Sequence, residues 1–410
     1  MAGTMSNFDN ALKDWYLPRL LSTINVNRVL MTRLERDSGK TDVTGRHARV
    51  PVNIRPSQAI GARDDASNNT LPTAQNQTFA DLRIGYKYNY GVIRITHPTI
   101  MASRNDRGAF TRVMSAEMDG MRRDLKNDFN RQLFGWGNGV IGTANGAGST
   151  ATALILDVGH SVKPNMLIDS FRTVLGGTQE LDGATVDSVD GNTATLSATD
   201  DWTDGAFIYR DNNRAMEAMG LMGIVDSYAL ADRNGIGAFV QLLQNIDRDS
   251  YPEWNSNVFE NSTANTGRAI TEDLLDQAIL RSQEEDEAEI SLMVSSATQF
   301  RKVGQLMTPD RRYTTTMKLD GGFEAINWSG IPLVWDRDCQ IDYNGNDMLF
   351  GLDEAELSIY QLADWDFDDT DGNVLHRRTD QAAYDATLFY YGQLGTTDAS
   401  NHFVIRDLSR

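Results

Sequence analysis

The sequence of 410 residues contains a single cysteine, Cys339. One thiol cannot form an internal disulfide, and it cannot build a metal site that needs several thiolates. This scarcity of cysteine fits a reducing compartment. We expect Cys339 to be a small buried or strand residue, because a free cysteine usually behaves as a small hydrophobic side chain.

The sequence also lacks a long hydrophobic run, since no stretch approaches the roughly 20 uninterrupted apolar residues that a membrane helix needs. The first residues lead from Met1 to Asn7, Asp9 and Lys13, without the charged and then apolar order of a secretion signal. We therefore expect a soluble, intracellular protein without a membrane partner. Hydrophobic residues make up 40% of the chain, which is enough for a large core divided among two or three compact units.

Histidine is scarce as well, and the five histidines are far apart in the sequence. None has the spacing of a metal-ligand pair, and none lies beside a serine or cysteine in a recognisable nucleophile motif. We therefore expect no catalytic residues, no metal site and no cofactor, and we do not expect an enzyme.

Basic residues are few: the chain has 38 Lys and Arg and 57 Asp and Glu, which gives a net charge of −19. This charge disfavours sequence-independent binding of nucleic acid by the chain as a whole. Residues 1–135 carry 20 basic and 13 acidic side chains, whereas the rest is strongly acidic. The basic part consists of scattered arginines, which favours charge complementarity between copies of the chain over a nucleic-acid arm.

The first third of the sequence predicts an extended segment, a long hairpin and a long helix. Residues 8–36 have mostly helical apolar spacing interrupted at Pro18. Strand-like alternation at 49–54 and 81–96 brackets residues 56–78, which are too polar to bury themselves. In residues 110–133, apolar side chains then recur every three or four positions, as in a helix of about six turns.

The remaining sequence predicts mixed structure. We expect a linker at 135–149, then five short strands within 153–210 that form a small β-rich unit. A helix starting at Thr271, a strand at 290–294 and a helix at 296–307 follow. The tail is predicted to be strands, with 383–391 pairing with 403–407 across a turn.

Three motifs have both a functional and a purely structural interpretation. Residues 137–142 match the G-x-G-x-x-G nucleotide pattern, but they follow a helix instead of a strand. The acidic stretch 364–372 suggests calcium, yet an EF-hand loop from Asp364 would have Asp369 where glycine is required and Leu375 where glutamate is required. The acidic run 284–289 lies at a predicted helix C-terminus, where it is solvated or neutralised by a neighbouring subunit.

The order of these parts resembles the major capsid proteins of tailed bacteriophages that have the HK97-like fold. Six local stretches carry the resemblance, and their order matters more than any single one: ALKDWY (11–16), RVPV (49–52), GARD (61–64), LPTA (71–74), DLKNDFNRQL (124–133) and AMGLMGIVD (218–226). The similarity covers nearly the whole chain. It implies an α+β fold and a structural role.

The resemblance also implies a division of the chain into six parts. Residues 1–45 correspond to an N-terminal arm, 46–85 to an extended loop that lies over a neighbour, and 86–150 to a peripheral domain with a long spine helix. Residues 151–212 form an inserted β-rich subdomain, 213–340 an axial domain, and 341–410 a β-rich return to the peripheral domain.

By the same resemblance, the chain is expected to self-assemble into hexamers and pentamers of an icosahedral capsid. This capsid encloses double-stranded DNA without sequence-specific binding and is assembled in the cytoplasm of a bacterial host. A separate scaffold protein, a portal and a decoration protein are the expected partners. The residues expected at contacts between subunits are Trp15, Arg55, Arg63, Glu285, Arg311 and Arg312.

One departure and three rival functions stand beside this interpretation. Some members of the family join subunits through a lysine of the extended loop, but no lysine occurs here between Lys40 and Lys87, so that cross-link is not expected. The rivals are a cellular shell of the encapsulin type, a nucleotide-binding enzyme that uses residues 137–142, and a tail or decoration protein.

Overall fold

The computed structural model describes residues 28–37, 47–62, 71–98, 107–174, 176–233, 237–261, 266–307, 317–318, 324–339, 345–369 and 374–410. The predicted arm segment 8–27, with Trp15, lies outside these residues. So do Arg63, Arg311 and Arg312.

Runs of consecutive strands are separated by single helices or by groups of helices along these residues. The helices are α1 (Val29–Asp37), α2 (Arg107–Phe134), α3 (Leu221–Ile224), α4 (Tyr228–Arg233), α5 (Gly237–Val240), α6 (Glu272–Asp286) and α7 (Ala297–Leu306). The first strands are β1 (His47–Arg55), β2 (Thr78–Gly85), β3 (Lys87–Thr96), β4 (Val140–Thr143), β5 (Gly148–Ile155), β6 (Leu167–Phe171), β7 (Gln179–Asp190), β8 (Thr193–Trp202) and β9 (Phe207–Arg210). The others are β10 (Leu242–Leu243), β11 (Ile246–Asp247), β12 (Asn257–Phe259), β13 (Leu292–Ser295), β14 (Met317–Lys318), β15 (Glu324–Trp328), β16 (Ile331–Trp335), β17 (Asp347–Leu352), β18 (Leu357–Phe367), β19 (His376–Arg377), β20 (Ala383–Thr396) and β21 (Phe403–Leu408). The predicted α+β class is confirmed.

The long helix predicted at 110–133 is α2, which has 28 residues and is therefore about 42 Å long. Met118, Met121 and Leu125 follow one another at helical spacing and pack against the sheet that contains β3 and β20. Further along the helix, Phe129 and Leu133 are fully buried in the largest core. The helix is a strut that joins two hydrophobic clusters.

The sheet under α2 is built around the 14-residue strand β20, which pairs with β3 along one edge and with β18 and β19 along the other. The Trp365 and Tyr390 rings stack at 3.8 Å, and Phe129 of α2 packs edge-on against both. The predicted hairpin of 383–391 with 403–407 is therefore wrong. Strand β21 belongs to a different sheet, because the residues between the two strands turn the chain into another layer.

A seven-stranded mixed sheet has the order β12-β21-β17-β13-β16-β15-β14. Its central strands β13, β17 and β21 are buried at every position, as expected of strands covered on both faces. One face packs on the cluster that includes residues of α6, and the other contributes to the largest core. Helix α6 begins as predicted, because the Thr271 side chain accepts a hydrogen bond from the Leu274 N–H at 3.2 Å.

Strands β4 to β9 form a six-stranded sheet with its own hydrophobic core, in the order β4-β9-β6-β7-β8-β5. Its first and last strands meet, because Ala144 pairs with Leu156 and the Asp157 N–H donates to the Thr143 carbonyl at 2.9 Å. This contact closes the sheet into a small barrel. The predicted linker at 135–149 is wrong in part, because β4 and the start of β5 lie within it.

The predicted long hairpin is present, since β1 and β2 pair antiparallel from His47 opposite Gly85 to Arg55 opposite Thr78. The second predicted strand, 81–96, is divided at Tyr86 into β2 and β3. Because β3 pairs with β20, the chain leaves the hairpin at this residue and enters the body.

Helix α1 departs from the expectation that all of residues 1–45 form an N-terminal arm. Val29, Leu30, Met31 and Leu34 are at most 2% exposed and belong to the largest core. The part of the predicted arm at 29–37 is therefore packed into the core of its own chain.

Candidate assembly surfaces

The polar clusters that suggest chemistry have structural roles within the described residues. His402 is fully buried, and its ring nitrogens lie 3.2 Å from the Asp353 N–H and 3.1 Å from Thr396 Oγ1. Burial and Arg248 lower the pKa of His402 to about 3, so the ring stays neutral. Its hydrogen bonds tie the residues after β17 to those between β20 and β21.

Three carboxylates of the barrel, those of Asp169, Asp182 and Asp211, have oxygens within 4.8 Å of one another. The buried Asp169 accepts hydrogen bonds from the N–H groups of Gly183 and Asn212, both at 2.9 Å. It thereby fixes two turns of the backbone.

No helix among the described residues is long and apolar enough to cross a membrane.

The G-x-G-x-x-G match at 137–142 is explained by close backbone packing. Gly139 has a φ of +85°, and a Cβ atom there would lie 2.5 Å from the Asn213 carbonyl oxygen. Gly137 has a φ of +73°, and a Cβ atom would lie 3.1 Å from Met219 Cα. Glycine is needed where the chain enters the barrel beside the segment that leaves it. The segment leads into β4 instead of a helix that could bind phosphate.

The base of the β1–β2 hairpin is anchored to its own chain. Ala48, Leu82 and Ile84 are buried in the largest core. At the end of β1, the Arg55 guanidinium donates to the Glu253 carboxylate at 2.6 and 3.0 Å and lies 5.2 Å from the Tyr251 ring centroid. These contacts hold the direction in which the hairpin leaves the body.

Beyond this base, the hairpin presents apolar side chains to solvent. Ile60 is 87% exposed and Leu71 84% exposed, and Phe79 is also exposed. Arg49 supplies positive charge, whereas Arg55 is paired with Glu253, and the single acidic side chain of β1 and β2, Asp81, is paired with Arg83 at 2.8 Å. An extended, basic and partly apolar surface of this kind is typical of a segment that binds another molecule.

A second exposed apolar surface lies on the sheet face opposite α2. It consists of Tyr88, Tyr90, Val92, Phe389 and Tyr391, which we call the aromatic patch. The Tyr391 ring packs edge-on against Tyr88 at 5.0 Å and against Tyr90 at 5.7 Å. The rings thus hold one another in place before any partner arrives.

The sequence contained a signal for the aromatic patch that our sequence interpretation did not use. Strand β3 is apolar on both faces, with Ile93 and Ile95 toward α2 and Tyr88, Tyr90 and Val92 toward solvent. A strand that is apolar on both faces is usually covered on both. Within the described residues only one face of β3 is covered.

A buried ionic network joins α2 to the barrel and to the segment that follows it. Arg131 pairs with Asp128 at 3.1 Å and with Glu217, and Arg210 of β9 pairs with Asp128 at 2.6 Å. Burial raises the pKa of Glu217. For Asp128 burial acts in the same direction, but Arg131 and Arg210 outweigh it and lower the pKa to about 2. The Asp128 carboxylate therefore stays charged.

The N-terminus of α1 is held by a buried carboxylate, Asp336. The Val29 N–H donates to Asp336 Oδ2 at 3.0 Å, and Asn130 of α2 donates to Oδ1 at 3.2 Å. Asp338 and Cys339 of the same turn and Asp347 of β17 also lie near. Burial raises the pKa of Asp336 from 3.8 to about 6.

We expect Asp336 to make stability pH-dependent. Because its pKa is raised in the folded chain, the stability it contributes is fully present below pH 3.8 and is lost as pH rises through 6. The loss should be about 2–3 kcal/mol. Urea unfolding of wild type and Asp336→Asn at pH 4 and pH 7 tests this, since the stability of wild type relative to the variant should fall by that amount. A relative stability that is equal at both pH values would contradict the assignment.

Of the predicted contact residues, Arg55 and Glu285 belong to the described part of the chain. Arg55 lies at the end of β1 next to the hairpin loop, and Glu285 lies near the end of α6, where it pairs with Arg281 at 2.9 Å. The acidic run 284–289 begins in the last turn of α6 and continues past Glu287, which has the left-handed conformation. In the acidic stretch 364–372, Asp364 and Asp366 lie on the exposed side of β18. Residues 370–373 lie outside the described chain.

The fold is similar to those of several solved shell proteins. The capsid asymmetric unit of cyanophage A-1(L) matches with a TM-score of 0.59 at 12% identity over 98% of both chains. The capsid of a native GTA particle matches with a TM-score of 0.50 at 9% identity over the whole of both chains. The SrpI encapsulin complex of Synechococcus elongatus matches with a TM-score of 0.49 at 10% identity. No protein-family model and no curated protein matches the sequence.

Proposed function

We propose that this chain, which has the HK97-like fold of phage capsid proteins, is the building block of an icosahedral phage capsid. The observation that carries the proposal is the similarity of fold over 98% of both chains to the cyanophage capsid protein. The role is structural, without catalysis, and the shell encloses double-stranded DNA. Assembly in the bacterial cytoplasm with a scaffold, a portal and a decoration protein is part of the same proposal.

The two exposed apolar surfaces support self-assembly. The hairpin of one subunit is proposed to lie on the aromatic patch of the next, in hexamers and pentamers. Burying Ile60, Leu71 and Phe79 would contribute roughly 1.5–3 kcal/mol each. The charges agree, because Asp366 lies opposite Phe389 on the rim of the patch, while the hairpin is basic. Each subunit gives one hairpin and receives one, so the contact repeats around a ring.

The proposed division of the chain follows the resemblance, with two changes suggested by the fold. The arm ends before α1, because α1 belongs to the core. The barrel begins at β4 instead of residue 151. Residues 213–340 and 341–410 are proposed as axial domain and return, although they share the seven-stranded sheet. Trp15, Arg63, Glu285, Arg311 and Arg312 remain proposed contacts between subunits, together with Arg55.

Electron microscopy of the protein, expressed alone and with its genomic neighbours, tests the proposal. We expect closed icosahedral particles, or rings of six and five subunits. Particles filled with DNA in the presence of the neighbouring genes would support a virus capsid, whereas particles filled with a single enzyme would point to an encapsulin. A monodisperse monomer under both conditions would contradict any shell.

A further inference from the structure

The turn that joins β10 to β11 has an uncommon backbone conformation. Leu243 pairs with Ile246, and the two residues between them, Gln244 and Asn245, have φ values of +52° and +74°. Positive values at both positions are those of a type I′ turn, which favours glycine and asparagine. Because glutamine in this conformation costs backbone strain, we expect its side chain to make contacts that offset the cost.

The turn holds both strand β2 of the hairpin and the end of β20. The Gln244 side-chain amide donates to the Thr396 carbonyl at 2.7 Å and accepts from the Thr396 N–H at 2.9 Å. The Gln244 main-chain carbonyl accepts from the Arg83 N–H at 2.9 Å, and the side-chain amide of Asn245 donates to the Asp81 carbonyl at 3.3 Å. Since β1 pairs with the other edge of β2, the turn occupies the edge of β2 that β1 leaves free.

The segment that follows the turn holds the other strand of the hairpin. Arg55, at the end of β1, donates to the Glu253 carboxylate at 2.6 and 3.0 Å. The segment is itself fixed to the body by Arg248, whose buried guanidinium donates to the Gly223 carbonyl at 3.0 Å. We call residues 244–253, which contact both strands of the hairpin, the socket.

The socket holds the hairpin at two separate points along its length. Arg55 lies opposite Thr78, and Arg83 lies five residues further along β2, which is a distance of about 17 Å. A two-stranded ribbon has little stability of its own and twists readily. Because a ribbon held at two points cannot pivot about either of them, the socket fixes the direction of the hairpin relative to the body.

We infer that the socket sets the angle between neighbouring subunits of the shell. This inference rests on the proposed function, in which each hairpin lies on the aromatic patch of the next subunit. The direction of the hairpin then decides where the next subunit lies, and the same angle is repeated around every ring. A hairpin that has lost one socket contact would allow a range of angles, so the particles would have several diameters while the subunit stays folded.

Two variants test the socket from its two sides. Gln244→Gly keeps the turn, because glycine adopts positive φ without strain, but it removes the amide that binds Thr396. In unassembled subunits of this variant, hydrogen exchange at the Arg83 N–H should be about tenfold faster than in wild type. Glu253→Gln removes the charge that holds Arg55, at an exposed position where the change should not affect folding. For both variants, electron microscopy should show particles of several diameters where wild type shows one.

The matched control is Ser329→Gly in the turn between β15 and β16. Ser329 also has a φ of +52° in a two-residue turn, but β15 and β16 belong to the seven-stranded sheet instead of the hairpin. Glycine there should leave a single particle diameter. Several diameters in this control, to the same extent as in the socket variants, would count against the inference.

The outcome for wild type separates failure of the inference from failure of the proposed function. If wild type and both socket variants form particles of one common diameter, the socket does not set the angle and the inference is overturned, while the capsid proposal stands. If wild type forms no particles under any condition, the proposed function fails and the inference fails with it. Circular dichroism of each variant before assembly confirms that the subunit is folded.

Discussion

Replacing Arg131 by methionine is expected to lower the free energy of unfolding by about 3–5 kcal/mol. The methionine fills much of the same volume, but it leaves the buried carboxylates of Asp128 and Glu217 without the cation that lies between them. Burial already raises the pKa of Glu217 while Arg131 is present, so loss of Arg131 should raise the pKa of Glu217 further. Urea unfolding followed by circular dichroism measures the loss.

The matched control is Arg281→Met on the exposed face of α6. Arg281 also pairs with a carboxylate, Glu285, at 2.9 Å, but both side chains are about half exposed. Pairs of this kind contribute about 0.3–0.5 kcal/mol, so this variant should unfold almost as wild type does. Equal losses in the two variants would show that burial of the Arg131 network has no special effect on stability.

Loss of the Arg131 network should also loosen the attachment of the barrel, which loss of an ordinary core contact would not do. Arg210 keeps its pair with Asp128 in the Arg131→Met variant, but Glu217 loses its ion pair and keeps the Asn213 amide at 2.7 Å. Residues 211–218, which connect the barrel to the rest of the chain, should therefore loosen before the barrel itself unfolds. The barrel core does not include them. Hydrogen exchange should rise first at residues 211–218.

The elements that could be predicted from the sequence are those whose signals are local. Helix α2 follows from its apolar spacing, and α6 begins at Thr271 because a threonine there can cap the first turn. The hairpin follows from two alternating strands around a polar segment. In each case the residues that carry the pattern are neighbours in the chain, so tertiary packing has little to override.

The failures have one cause, which is pairing between distant residues. Strand β20 is followed by β21 after a short turn, yet it pairs with β3, with Ala383 opposite Thr96. The residues at 135–149 are rich in glycine, but Val140–Thr143 becomes a strand because β9 lies beside it. Helix α1 is buried because α2 and β18 enclose it. A single sequence does not show which distant segments of the chain will pair.

The contact residues were harder to predict than the fold for a related reason. Arginines and glutamates on a surface are common, and Arg55 and Glu285 both have partners within the chain. The aromatic patch had a better signal, since β3 and β20 have large side chains on both faces. Exposed apolar side chains in a row are rarer than exposed charges, and they are therefore more informative about assembly.

Replacing Val92 by glutamate is expected to abolish shell assembly while leaving the subunit folded. Val92 lies in the aromatic patch and is 52% exposed, so a carboxylate there can stay in water in the free subunit. Once a neighbouring hairpin covers the patch, the same carboxylate would lose its water against the apolar side chains of that hairpin, at a cost of several kcal/mol per contact. Because every subunit makes the contact, assembly should fall by more than 100-fold.

The control is Ile155→Glu, which introduces the same carboxylate on a β-strand at a side chain that is 51% exposed. Ile155 lies at the end of β5 in the barrel, away from the aromatic patch. Sedimentation measures the fraction of protein in particles, and circular dichroism confirms that each variant is folded. We expect Ile155→Glu to assemble as wild type does and Val92→Glu to remain as free subunits. Normal assembly of Val92→Glu would show that the aromatic patch stays exposed in the shell, and the hairpin would then need a different landing surface.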